Sequence, residues 1–238
     1  MRASLKIAGK THETLFYNLE PLVVPGVTLI FIYNFCMDFF KSKSLNIIPD
    51  TIPVTINTNN IVYHGQNLDR VLIQGDIVTI DVCFRLGDGS VDGAKTFIVG
   101  NCSDRVRDLV DVSRDVIKEA VNRIRPGVKV NEVVSFISDY ISIRGFYLLP
   151  DGIGHGIGES LHVSPFISLN DFTDFNYVFK VGDLFTLEPV VLMFKEVITE
   201  SDSGEGIADI TNFSSQFEIT IYIDKYGSIV ILNKALLN

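Results

Sequence analysis

The chain has 238 residues, 47% hydrophobic and 21% charged, with 20 Lys and Arg against 29 Asp and Glu for a net charge of −9. That hydrophobicity excludes a disordered chain, and the lack of a Lys/Arg-rich run removes the electrostatic footprint of a specific nucleic-acid binder. The three cysteines, Cys36, Cys83 and Cys102, form no CxxC pair, which points to reduced thiols in a reducing compartment.

The first residues, MRASLKIAGKTHETLF, lack the continuous apolar core of a signal peptide and read as an amphipathic helix containing His12, to which no role is assigned. The most apolar run, Val27 to Phe40, contains Asn34 and Asp38 and falls short of the roughly 20 apolar residues a membrane span needs. The expectation is a cytoplasmic protein with no membrane partner. Val78 to Leu86 alternates, with Val78, Ile80, Val82, Phe84 and Leu86 on one face and Thr79, Asp81, Cys83 and Arg85 on the other, which predicts a strand. Asp104 to Ile124 has apolar residues at helical spacing, with Ser103 as N-cap and Pro126-Gly127 as its stop. Val133 to Ile143 reads as a second helix closed by Gly145. Leu184 to Val191 and Gln216 to Ile223 read as strands. Helix pairs followed by strands, twice, predict an α+β fold.

The two halves echo each other. Pro-Gly-Val recurs at Pro25 and Pro126, 101 positions apart (126 − 25). Gly75-Asp76-Ile77-Val78-Thr79-Ile80-Asp81 is matched by Gly182-Asp183-Leu184-Phe185-Thr186-Leu187-Glu188, at an offset of 107 (188 − 81). The same order at nearly the same offset is expected of an internal duplication, with repeats over about 1–100 and 101–238 in a single domain spanning 1–238.

Three carboxylates, Asp81, Glu188 and Glu218, fall inside predicted strands, where acids are depleted. Each shares its face with polar residues: Asp81 with Thr79, Glu188 with Thr186, Glu218 with Gln216 and Thr220. Asp92 follows Asp81 across a turn at Gly87-Asp88-Gly89. A simple hairpin sets Arg85 opposite Asp92 and leaves the two acids four positions apart, about 13 Å, so that sharing a metal requires a bulge at Gly93. Converged carboxylates repel unless a cation neutralises them, and oxygen ligands with an imidazole suit divalent Mn, Fe, Co or Zn. His155 lies in the glycine-rich Asp151-Gly152-Ile153-Gly154-His155-Gly156-Ile157-Gly158, His162 follows it, and His64 precedes Gly65. That segment is not a dinucleotide fingerprint, because no helix pattern follows Gly158.

In this order the residues resemble the type I methionine aminopeptidases of the M24 family. The resemblance is carried by Gly75 to Asp81, Asp92, the GHGIG of residues 154 to 158, His162, Phe185-Thr186-Leu187-Glu188-Pro189 and Gln216-Phe217-Glu218. It implies the pita-bread (creatinase/aminopeptidase) fold, with two pseudo-twofold-related halves and two divalent metal ions between them. Asp81, Asp92, His155, Glu188 and Glu218 would be the metal ligands, Asp92 and Glu218 bridging both ions. The implied activity is metal-dependent removal of the N-terminal methionine from peptides and nascent proteins, by a bridging hydroxide attacking the first peptide carbonyl. His162 would hydrogen-bond the developing oxyanion, Glu188 would shuttle a proton and His64 would steady the leaving nitrogen. A monomer is expected, with the ribosome as a candidate partner.

The chain departs from the family pattern in places. Residues 44–54, SLNIIPDTIPV, lack the aromatics that line the methionine pocket, and there is no tryptophan. Val91 stands where a glycine usually precedes the second metal aspartate, and Val163 where an acid follows the second histidine. Two other functions compete with methionine removal: a Xaa-Pro-type peptidase of the same fold, and a catalytically silent module that binds partners.

Overall fold

The structure is a computed structural model that describes residues 3–169 and 176–238. The first half comprises α1 (Ala3–Leu19), α2 (Leu29–Lys43), β1 (Val54–Thr58), β2 (Ile61–Tyr63), β3 (Ile77–Leu86) and β4 (Gly89–Ile98). The second half holds α3 (Asp104–Val121), α4 (Val130–Ile143), β5 (Tyr147–Leu148), β6 (Gly154–Gly156), β7 (Val163–Ile167), β8 (Leu184–Leu187) and β9 (Val190–Leu192). It continues with β10 (Thr199–Glu200), β11 (Gly206–Ile207), β12 (Ser214–Gln216), β13 (Ile219–Ile223) and β14 (Ile229–Ile231). The α+β plan is as expected from the sequence.

Local chemistry sets the helix ends. Ser103 caps α3, its hydroxyl accepting from the Val106 N–H, and Gly145 ends α4 in the left-handed region at φ +76°. α4 begins three residues before the expected Val133, because Glu132 accepts from the Lys129 N–H and completes the first turn. Apolar faces then bury the helices against the sheets. One core joins α1 and α2 to β1, β3 and β4, and a second joins α3 and α4 to β8, β9 and β13.

The repeated motifs make repeated backbone bonds. Gly26 and Gly127 both have positive φ, and their N–H groups donate to Leu72 O and Phe179 O, each at 2.8 Å. Gly75 and Gly182 are likewise at positive φ, donating to Val99 O and Ile223 O. The following carboxylates, Asp76 and Asp183, accept from the N–H of Ile73 and Lys180, both at 2.9 Å.

Two expectations about the strands are corrected. The β3–β4 hairpin turns tightly, with Leu86 opposite Gly89, so Arg85 faces Ser90 and Asp92 faces Cys83. Asp81 pairs with Ala94, which leaves Asp92 two positions away and on the same face, a diagonal of roughly 7 Å without any bulge. Gly93 has a packing role instead: a Cβ there would lie 2.4 Å from Asn233 Nδ2 and 2.9 Å from His12 Cε1. Val91 is buried opposite Phe84 in the first core.

Glu188 and Glu218 lie at strand breaks and not inside strands. β8 belongs to a five-stranded sheet of order β14-β13-β8-β6-β7, whereas β9 belongs to a three-stranded sheet of order β12-β9-β5. The chain changes sheets at Glu188-Pro189, where Pro189 has no N–H for a ladder and Glu188 N–H donates to Ile153 O. It changes back at Phe217-Glu218, where Glu218 N–H reaches Ala94 O in the first half. Both glutamates therefore sit at the seam between layers.

Candidate metal centre

The first half contributes two carboxylates from one hairpin. Asp81 faces Thr55 of β1 in the sheet register, and the Thr55 hydroxyl donates to Asp81 Oδ2 at 3.3 Å. Asp92 is fixed through its backbone: its N–H donates to Thr220 Oγ1 at 2.9 Å, and the Thr220 hydroxyl returns a bond to Asp92 O at 2.7 Å. Asn233 Nδ2 donates to the same carbonyl at 2.9 Å. These bonds tie the hairpin to β13 and the C-terminal segment.

The second half contributes an imidazole and two carboxylates. The His155 N–H donates to Thr186 Oγ1 at 3.1 Å, and Nδ1 lies 3.0 Å from Gly156 O. A carbonyl at Nδ1 requires the proton there, which leaves the Nε2 lone pair facing Glu188 Oε1 at 3.3 Å and Asp92 Oδ2 at 3.7 Å. Thr186 Oγ1 donates to Glu188 Oε1 at 3.1 Å and Gln216 Nε2 to Glu188 Oε2 at 3.2 Å. Glu218 is 1% exposed, and its Oε1 has no hydrogen-bond partner. One ligand atom each of Asp92, His155 and Glu218 lie within 4.8 Å of one another. All five expected ligands, with His64 and His162, line one cavity of about 460 Å³.

The electrostatics are those of acidic groups crowded together under burial. Burial pushes Asp81 up to about 6 and Glu188 up to about 8, the latter helped by the charge of Asp81. Asp92 and Glu218 are raised well above the usual carboxylate range, by burial first and then by their acidic neighbours. Burial lowers His155 to about 4, so its imidazole is neutral at neutral pH. A buried carboxylate oxygen without a donor costs roughly 1–3 kcal/mol or more. Divalent cations remove that cost and the mutual repulsion together, so four carboxylates, one free imidazole nitrogen and the orphaned Glu218 oxygen fit such ions.

The remaining histidines lie at the cavity wall. The His162 ring meets His155 edge-on at 4.4 Å between centroids, and burial followed by the proximity of His64 lowers its pKa. His64 adopts φ 55° and packs edge-on against Tyr63 at 5.3 Å. Asp50, Thr51 and Ile52, from the segment without aromatics, line the same cavity, as does Leu161. The sequence reading missed Thr55 and Leu161, which carry no pattern that links them to the acids. Thr186 and Gln216 were visible as polar residues on the glutamate faces.

A family model, metallopeptidase family M24, matches residues 1–225. The chain belongs to metallopeptidase family M24. Within the family it is 30% identical to a methionine aminopeptidase of Mycoplasma capricolum, the match covering 95% of this chain and 93% of that one. It is 28% identical to a methionine aminopeptidase of Escherichia coli strain K12, over 94% of this chain and 88% of the relative. The crystal structure of a methionine aminopeptidase from Thermotoga maritima superposes with a TM-score of 0.89 at 27% identity, covering 97% of this chain and 95% of that chain. The M24 fold is the pita-bread fold, and as an M24 metallopeptidase the protein binds divalent metal.

Proposed function

We propose that this M24 protein removes N-terminal methionine from peptides, with Asp81, Asp92, His155, Glu188 and Glu218 holding two divalent ions. The observation that carries the ligand set is the meeting of Asp92, His155 and Glu218 within 4.8 Å, with Glu218 Oε1 unpartnered. In this reading Asp92 and Glu218 would serve both ions, Asp81 one, and His155 with Glu188 the other. Mn, Fe, Co and Zn all suit this set. The repeated backbone bonds around Gly26 and Gly127 support one domain over 1–238 built from halves of about 1–100 and 101–238.

Bound cations lower the pKa of water toward about 7 and polarise the scissile carbonyl. The protein side chains do the rest. Glu188, which accepts from Thr186 and Gln216, would take a proton from the attacking water and give it to the departing amine. His162, neutral at pH 7, offers an N–H to the carbonyl oxygen as charge develops there. His64, which lines the same cavity, is assigned to the leaving nitrogen. Nascent chains are the natural substrate pool, and the reading extends to a monomeric cytoplasmic enzyme that meets them at the ribosome. No helix among the described residues is long and apolar enough to cross a membrane.

The test is hydrolysis of Met-Ala-Ser and of Xaa-Pro peptides by chelated protein with each metal restored. Metal-dependent release of methionine is expected. Preference for Xaa-Pro substrates would move the protein elsewhere in its family, and failure to take up any divalent ion would make it a silent binding module.

A further inference from the structure

His162 is carried by the loop between β6 and β7, and it lines the same cavity as Asp81 and Asp92 of the β3–β4 hairpin. Within its own half Ile157 N–H donates to Leu184 O at 3.1 Å and Gly158 N–H to Ser160 O at 3.0 Å. The other half reaches over to it. Arg85 Nη2 donates to Gly158 O at 3.2 Å and also to Glu159 O. The Ser90 hydroxyl donates to Gly158 O at 2.6 Å and lies 3.4 Å from Arg85 Nε.

Arg85 and Ser90 face each other in the hairpin register, so the two donors stand on a rigid platform. Arg85 is four residues beyond Asp81 on the same strand face. One hairpin therefore supplies two carboxylates of the cavity and also grips the loop that carries His162. A guanidinium suits this task, because it presents several N–H groups in a fixed fork and stays charged. Loop carbonyls at 158 and 159 fixed from outside set where the next residues, Leu161 and His162, enter the cavity.

We propose that Arg85, assisted by Ser90, is a positioning residue that holds His162 in its working place across the seam between the halves. The proposal rests on the role assigned above to His162. Small displacements of a catalytic group cost rate out of proportion to their size, on the order of 100-fold for 1 Å.

The test is a double-mutant cycle on metal-loaded protein, with kcat and KM measured on a methionine peptide and melting recorded for each variant. Arg85→Met should lower kcat by roughly 10- to 100-fold with little change in KM. Arg85→Lys should recover part of that loss, since an ammonium can still reach one carbonyl. In a His162→Ala background, Arg85→Met should cost nothing further. An undiminished cost in that background overturns the clamp alone, as does wild-type turnover in Arg85→Met. Full activity in His162→Ala overturns the reading of His162 and the proposal with it. Should Arg85→Met fail to fold, Ser90→Ala runs the same cycle with one donor removed. Amide exchange gives a second measure: Arg85→Met should speed exchange over 157–162 but not in β3 or β4, and unchanged exchange in the loop overturns the clamp.

Discussion

The two faces of the β3–β4 hairpin each cover a buried histidine, and the two are put to opposite uses. On one face His12 of α1 is wholly buried, its Nε2 2.8 Å from Val82 O and its ring stacked on Phe16 at 4.9 Å. On the other, His155 stands among carboxylates, its Nε2 3.3 Å from Glu188 Oε1 and 3.7 Å from Asp92 Oδ2. Burial lowers both to about 4, so depressed basicity does not distinguish them. The free nitrogen does. His12 uses Nε2 on a backbone carbonyl and sets Nδ1 toward Asn233, whereas His155 uses Nδ1 on Gly156 O and keeps Nε2 for the cavity. The ligand role proposed for His155 rests on local bonds that leave one nitrogen facing carboxylate oxygens.

The sharpest way to break this contrast is to truncate each ring. His155→Ala should reduce kcat/KM by at least about 1,000-fold while melting in the metal-free state changes little, as read by peptide hydrolysis and calorimetry. Normal turnover would refute the assignment of His155. His12→Ala should do the reverse, destabilising the fold by about 3 kcal/mol in denaturant titrations through a cavity and the loss of a buried hydrogen bond to the Val82 carbonyl. Activity per folded molecule should be retained; its loss would mean that the hidden face also acts in catalysis.

A smaller effect is expected from the bonds that aim the ligands. Thr186 accepts from the His155 N–H and donates to Glu188 Oε1, so Thr186→Val should weaken metal binding roughly 10- to 100-fold in calorimetric titration. An unchanged affinity would show that packing alone orients them.

The smallest effect is a pH dependence. Glu188 is raised from 4.5 to about 8 in the folded metal-free protein, so the folded state binds its proton more tightly than the unfolded chain. Its contribution to stability is complete below the unfolded value and is lost as pH rises through about 8. His12 and His155 are lowered from 6.5, and their effect runs the other way, stability being lost as pH falls below 6.5. Between pH 6.5 and 8 the carboxylates dominate: chelated protein should melt several degrees lower at pH 8 than at pH 6.5, and added divalent metal should flatten the trend. A flat profile in chelator would show that the acids are not confined as described.

Much of the site was legible because its acids interrupt apolar strand patterns. Asp81 between Ile80 and Val82, and Glu218 between Phe217 and Ile219, stand out in a one-dimensional string. The parity of the hairpin was also readable, since a shift of two positions keeps Asp81 and Asp92 on one face. The register was not, because Gly87-Asp88-Gly89 admits turns of different length, and the tight one brought Asp92 opposite Cys83. The strand breaks at Glu188 and Glu218 were hidden for a similar reason. A strand that passes from one sheet to another keeps its apolar alternation, and the change shows only in which neighbour takes its hydrogen bonds.

The sequence by itself determined the α+β plan, the repeated turns at Gly26 and Gly127, and the kinds of side chain available for a metal, because helical spacing, strand alternation and positive φ are local matters. Only the tertiary structure decided which nitrogen of His155 is free, that Glu218 Oε1 lacks a donor, and that Arg85 reaches the His162 loop. These depend on contacts between distant segments, whose distances and directions no local pattern encodes.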